Sequence, residues 1–350
     1  MAETQSLPWI DGVYKLDTIN SMVFKVTGEN IKVQSLDGSS LEDTSFSTGT
    51  FKFGDFGNAH PEVAKHTGKT KSDVEVTIWN GKFHAKGVVS DDGKKITIVG
   101  FTNELGSFEW MSEEELAAYK DSGDPADAPS NHYKIQPEYN GKLIWVSGAP
   151  GLGKSTTGLF LSRKAGYVYY EADAYGANVN PYIPPDAEEP SLATQKQKPL
   201  KGIPQDRKDS INQGIKDFMA MIEGKEFEIK NVEGYYTGLC KDIKTEKKRM
   251  GGDWVVAQAV PSKALRKHIR EQLGPELMFV VLNMTKEDQM KRIKQRHNGE
   301  EQGGVVDWLT KLYDLFEPAT DDEENTYGLD VTTEMSREDV MKKVLDILPK

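Results

Sequence analysis

The apolar run Leu143-Ile144-Trp145-Val146-Ser147 leads straight into Gly148-Ala149-Pro150-Gly151-Leu152-Gly153-Lys154-Ser155, and a segment with helical periodicity follows. Three glycines at this spacing let the backbone curl so that several N–H groups point inward at one anion. A helix beginning near Lys154 adds the positive end of its dipole at the same point. Strand before, helix after and a full eight-residue match outweigh the alternative of a glycine-rich turn that matches by chance. This segment commits its part of the chain to a βαβ unit and a parallel sheet. The expected ligand is ATP, cradled by Gly148, Ala149, Pro150, Gly151, Leu152, Gly153, Lys154, Ser155 and the Thr156 that follows. Lys154 is expected to reach the β- and γ-phosphates, and the Ser155 hydroxyl to ligate Mg²⁺.

From Lys142 onward, apolar runs bounded by glycine alternate with longer helical patterns, the grammar of an α/β domain. The strand candidates are Leu143–Ser147, Tyr167–Glu171, Trp254–Ala259 and Met278–Asn283. Helices are expected over Lys154–Arg163, Arg207–Ile222, Ser262–Leu273, Thr285–Arg296, Trp308–Leu315 and Ser336–Leu348. The second strand ends in Glu171-Ala172-Asp173. Ligands of open α/β sheets gather at the carboxyl ends of the strands, so these carboxylates should face the phosphate loop. Asp173 is the candidate to orient an acceptor hydroxyl and take its proton, or to help hold Mg²⁺ through water. Glu171 shares that face, with a solvated or helix-capping role as the even alternative. Lys201 and Arg207 frame a proline-rich stretch and are candidate contacts to an anionic or polyhydroxylated acceptor, against ordinary surface roles. Arg292 and Arg296 lie four apart on one helical face and are expected to converge on the transferring phosphoryl group. The cluster Lys244–Arg249 reads as an exposed turn or helix end without chemistry.

The first third reads as strands. Val74–Trp79 alternates, Asn80-Gly81 supplies the positive-φ pair of a tight turn, and Lys82–Val88 returns. Asp92-Gly93 repeats the device before Lys95–Phe101, and Thr27–Asn30 separates Met22–Val26 from Ile31–Val33. Gly49–Phe53 is another strand candidate. Short strands punctuated this way indicate a small antiparallel barrel or sandwich. Ser112 and Glu115 form a capping box for a helix to Tyr119. The chain is expected to comprise a β-rich domain over 1–118, a linker over 119–139 and the α/β domain over 140–350.

The formal net charge of -11 argues against duplex DNA or an anionic membrane as the main partner, since both need a broad cationic face. One cysteine, Cys240, leaves no intramolecular disulfide and suits a reducing compartment. Neither a secretory leader nor an apolar run long enough to span a bilayer is visible. A cytoplasmic protein is expected.

The C-terminal pieces, in order, resemble the P-loop small-molecule kinases, above all the gluconate kinase branch near shikimate and adenylate kinases. After the loop and Asp173 come Gly202-Ile203-Pro204 with Asp206-Arg207, then Val255-Val256-Ala257-Gln258-Ala259 and Leu265-Arg266-Lys267-His268-Ile269-Arg270. Arg292 and Arg296 match the lid arginines, and Phe316-Glu317-Pro318 matches a late motif. The resemblance, over about 142–348, implies ATP and Mg²⁺ as cofactors and a small hydroxyl-bearing acceptor. It has departures. A substrate-contacting His of the family is replaced by Gly176, and the lid segment by Asn298–Val305. The stretch between Asp206 and Trp254 is longer and carries Tyr235, Tyr236 and Cys240. Two other readings stand beside the kinase: a nucleotide-binding sensor or scaffold with a degenerate kinase domain, and a nucleic-acid-end kinase, which the charge disfavours.

Overall fold

The computed structural model describes residues 6–36, 47–81, 83–99, 105–126, 131–222, 229–296 and 312–348. Two compact units emerge, one of 1–123 with 195–201 and 294–308, the other of 124–194, 202–293 and 309–350.

In the first unit, eight strands form a closed barrel: β1 (Gly12–Leu16), β2 (Ile19–Thr27), β3 (Asn30–Ser35), β4 (Thr48–Phe53), β5 (Val74–Ile78), β6 (Phe83–Val89), β7 (Lys95–Val99) and β8 (Leu105–Met111). Each pairs antiparallel with the next, and β8 closes on β1 with Val13 opposite Met111. Closure decides between the barrel and the sandwich. The interior is filled with side chains, as a barrel of eight strands permits. Phe51 and Phe24 meet Phe108 edge-on at 5.2 and 5.0 Å, and Trp9 meets Phe51 at 5.5 Å. Helix α1 (Pro61–Thr67) lies in the β4–β5 connection, and α2 (Glu113–Lys120) follows β8 with the expected Ser112–Glu115 capping box. The β5–β6 turn enters the left-handed region one residue earlier than the Asn-Gly pair predicts, with φ of 56° at both Trp79 and Asn80. The reason is an anchor on β4, since Asn80 Oδ1 accepts from the Thr48 N–H at 2.9 Å and from its hydroxyl at 2.6 Å.

The second unit is a five-stranded parallel sheet in the order β11-β13-β10-β14-β15. These are β10 (Gln136–Gly148), β11 (Val168–Glu171), β13 (Gly251–Ala257), β14 (Met278–Asn283) and β15 (Thr326–Asp330). The two-residue strands β9 (Asp124–Pro125) and β12 (Leu200–Lys201) belong to neither the barrel nor this sheet. Around the sheet lie α3 (Lys154–Ala165), α4 (Asp173–Ala177), α5 (Pro190–Gln195), α6 (Gln205–Ile222), α7 (Ile229–Met250), α8 (Lys263–Leu273), α9 (Lys286–Arg296) and α10 (Arg337–Ile347). Alternate residues of each strand feed two cores, which is why the strands read as unbroken apolar runs. Trp145, Trp254, Val256 and Phe279 pack with Leu239 and Ile243 of α7 and Leu265 of α8. Ile144, Val146, Val255 and Val280 pack on the other face with Leu159 of α3 and Val344 of α10.

All four strand candidates and five of the six helices appear, most with small changes of boundary, although β10 starts at Gln136, inside the stretch expected to be linker; of the sixth helix, Trp308–Leu315, residues 308–311 lie outside the described residues. Several elements were not foreseen, among them β1, β8, α1, α4, α5, β15 and α7. β15 follows an acidic stretch with little apolar periodicity. α7 carries a Lys-rich end, and Lys244–Arg249 are its last residues before Met250, where cations complement the helix dipole. Lys247 Nζ there donates to the Gly141 carbonyl at 2.8 Å and to Asn140 Oδ1 at 3.1 Å. Among the described residues no helix is long and apolar enough to cross a membrane.

Arg266 on α8 is wholly buried and makes a bidentate pair with Glu323, both contacts at 2.7 Å, and it also reaches the carbonyls of Glu317 and Pro318. The Phe-Glu-Pro segment is thus clamped to α8. Arg266→Ala leaves the buried Glu323 carboxylate without its cation, held only by Thr320, and should cost about 3–5 kcal/mol in urea unfolding. Replacing both partners by apolar residues of similar volume should recover most of that loss; a single-variant cost under about 1 kcal/mol would show the pair to be idle.

Candidate active site

Three adjacent strand ends supply the site. β10 runs into the phosphate loop, β11 into Glu171 and Asp173, and β13 into Gln258, with Glu171 and Val146 both in register with Ala257. The chain leaves β10 for the β11 edge and later crosses to β14 on the other side, so the loop sits where the strand order reverses.

The loop's backbone explains its glycines. Gly151 and Gly153 have φ of 83° and 95°, and at Gly148 (φ 141°) a Cβ would lie 2.6 Å from the Leu282 carbonyl oxygen of β14. Helix α3 starts after Gly153 with no side chain capping it, unlike α8 and α10, which Ser262 and Ser336 cap. Its first-turn N–H groups are therefore left for an anion. The loop is also held from α9, where Gln289 Nε2 donates to the Pro150 carbonyl at 2.6 Å and Ile293 packs beside Gly151. Lys154 Nζ donates to the Ala149 carbonyl at 3.0 Å, which keeps the ammonium over the loop.

Glu171 is 2% exposed. The Tyr169 hydroxyl donates to its Oε2, the Ser155 hydroxyl faces the same carboxyl, and Oε1 is buried with no hydrogen-bond partner. Burial pushes this carboxyl well above the usual glutamate range and the neighbouring Asp173 adds to the rise, against the opposing pull of Tyr169, Ser155 and Lys154. Asp173 keeps a path to solvent although protein surrounds it closely, as a group on the wall of a concavity does. This crowding raises its carboxyl above the ordinary aspartate value, opposed by the Lys154 ammonium and the Gln258 amide. An unpartnered carboxylate oxygen beside a hydroxyl suits a hard cation that brings its remaining oxygen ligands from phosphates and water. Ser155 and, behind it, Glu171 fit Mg²⁺ in that way. Among the described residues no three His, Cys, Asp or Glu side chains converge as a self-sufficient metal site.

The structure thus brings Lys154, Ser155, Glu171 and Asp173 together. It gives the other candidates different partners. Lys201 belongs to the first unit, where its Nζ pairs with the Asp121 carboxylate at 3.0 Å. Arg207 pairs with Asp242 at 2.5 Å and lies over the Tyr175 ring at 4.6 Å. Arg292 Nη2 donates to the Thr332 carbonyl at 2.7 Å, just past β15. Arg296 ends α9, and its side chain lies outside the described residues, as do residues 298–305. Tyr169, Gln258 and Gln289 were not singled out from the sequence. Gln258 carried a signal, a lone amide closing an apolar strand at the sheet's carboxyl edge.

No protein-family model matches the chain, and no curated protein matches it in sequence. Solved structures resemble it in part. A gluconokinase from Sinorhizobium meliloti 1021 shares 16% identity over 59% of this chain and 91% of that one, with a TM-score of 0.37. A sugar kinase from Janibacter sp. HTCC2649 gives 16%, 59%, 93% and 0.39. Shikimate kinase from Acinetobacter baumannii gives 17%, 59%, 92% and 0.33. The strand order and the loop geometry, rather than these scores, define the second unit as a P-loop α/β fold.

Because the folded chain holds the Glu171 proton more tightly than the unfolded chain, that contribution to stability is complete below the ordinary glutamate range. It is lost as pH rises toward the raised folded value. Glu171→Gln stays neutral throughout. In metal-free buffer, the Tm of the variant minus that of the natural chain should be near zero at about pH 5 and clearly positive at about pH 9. A difference independent of pH would remove the buried proton from the account.

Proposed function

We propose that the second unit transfers the γ-phosphoryl group of Mg·ATP to a hydroxyl of a small molecule such as a sugar acid, a polyol or a nucleoside. The observation that carries this reading is the meeting of Lys154 and Ser155 with Asp173 at adjacent strand ends, where an anion nest and a proton acceptor serve one crevice. The β-phosphate would sit on the N–H groups of the loop and on the first turn of α3. Lys154 would bridge toward the γ-phosphate, and Mg²⁺, when bound, supplies charge neutralisation on the phosphate oxygens. Asp173 orients the acceptor O–H and takes its proton as the acceptor oxygen bonds to the γ-phosphorus and the bond to the β-phosphate oxygen breaks, releasing ADP. The raised Asp173 carboxyl makes it a better proton acceptor than an ordinary aspartate. Catalysis is then mostly positioning and charge neutralisation.

The test is ADP release from Mg·ATP with sugar acids, polyols, nucleosides and oligonucleotides as acceptors. Lys154→Ala should abolish acceptor-dependent release with the circular dichroism unchanged. Asp173→Asn should lower kcat about 10²–10⁴-fold with nucleotide affinity retained. Full activity in either variant would defeat the assignment, and tight ATP binding without release for any acceptor would favour a nucleotide sensor.

A further inference from the structure

Tyr235 enters the crevice from α7, in the longer segment where this chain departs from the kinases it resembles. Two glycines on other helices make room for it. A Cβ on Gly214 of α6 would lie 2.4 Å from the Tyr235 Cβ and 2.6 Å from its ring. A Cβ on Gly176 of α4 would lie 3.2 Å from the Tyr235 hydroxyl oxygen. Glycine inside a helix weakens it, so Gly214 is a cost that the ring's passage explains. The ring meets Tyr175 and Tyr236 edge-on, at 5.4 and 5.3 Å, and these contacts fix its direction.

The hydrogen bonds at its tip are incomplete. Gln258 Nε2 donates to the Tyr235 oxygen at 3.1 Å, so the phenol acts as acceptor there, and its own proton has no acceptor among the described residues. The same Gln258 amide faces the Asp173 carboxylate. Gln258 is 6% exposed, and its Oε1 is buried without a partner. One O–H donor and one carboxylate acceptor therefore stand side by side across the Gln258 amide. A pair of neighbouring hydroxyls satisfies both: one donates to Asp173, and the other accepts from Tyr235. The charge of Arg207 is compensated through Nη1 by Asp242, which also accepts from the Tyr170 hydroxyl at 2.5 Å, while Arg207 Nε and Nη2 are buried with no hydrogen-bond partner among the described residues. An acidic acceptor would find no uncompensated charge from Arg207.

We infer that Tyr235, with Gln258, selects an uncharged polyhydroxylated acceptor by holding the hydroxyl next to the one that faces Asp173. The inference rests on the phosphotransfer reading for the role of Asp173, and it narrows the acceptor to neutral polyols and ribosides rather than sugar acids.

The experiment measures KM and kcat for the natural chain, Tyr235→Phe and Gly176→Ala with neutral polyols, ribosides and sugar acids. Each preferred polyol is paired with its deoxy analogue lacking the neighbouring hydroxyl. Tyr235→Phe should raise the KM of the intact polyol roughly tenfold, with kcat and the KM for ATP changed less than about threefold. It should leave the deoxy analogue unaffected, because that ligand has no group to lose. Gly176→Ala, which crowds the same hydroxyl, should act in the same direction. A sugar acid as the preferred acceptor, or equal losses on the intact and deoxy ligands, would overturn the inference. Calorimetric titration of the same ligands into the chain saturated with a non-hydrolysable ATP analogue reads binding without turnover. Tyr235-dependent polyol binding with no transfer would sink the kinase reading and keep this one; no polyol binding by either readout would sink this one.

Discussion

The crevice depends on how closely β10 and β14 approach where β10 ends. Gly148 sits so near the Leu282 carbonyl that any side chain there would push the strands apart. That contact lets the chain turn sharply out of the sheet and start α3 with its amide groups facing the strand ends. The residues of the candidate site are placed relative to it. Glu171 comes in from one strand, Gln258 from the strand between, and Gln289 fastens the outer side of the loop.

The two carboxylates two residues apart have different surroundings. Glu171 is enclosed, tied to Tyr169 and beside the Ser155 hydroxyl, whereas Asp173 stands at the wall with Lys154 and an amide near it. Their proximity raises the cost of ionising both, which divides the work between them. Under the phosphotransfer reading, the inner group would support a cation and the outer one would handle a proton.

Much of this was legible in the sequence because it was local. The loop, the strand-end acids and the capping box at Ser112 are each fixed by residues within a few positions of one another. The alternating strands with Asn-Gly and Asp-Gly turns announced a small β unit, yet its closure required β1 and β8, two strands about ninety residues apart whose pairing no local pattern records. β15 was hidden for a similar reason, since its partner β14 and its buried neighbours make it a strand. The arginines illustrate the limit most clearly. Spacing on a helix put Arg292 and Arg296 on a shared face, but spacing does not reveal that Arg292 has the Thr332 carbonyl to bind, or that Arg207 has Asp242. Tyr235 was noticed only as part of an added segment, because its place is set by glycines on two other helices.

The filled barrel has its own consequence. Eight-stranded barrels can carry a small molecule in their lumen, but here Trp9, Phe24, Phe51 and Phe108 occupy that space ring against ring. Among the described residues these rings form a packed aromatic core, and low compressibility comes with such packing. With these side chains committed to packing, the outward-facing residues of the strands are the ones free to vary, where substitution is cheap and change can be rapid.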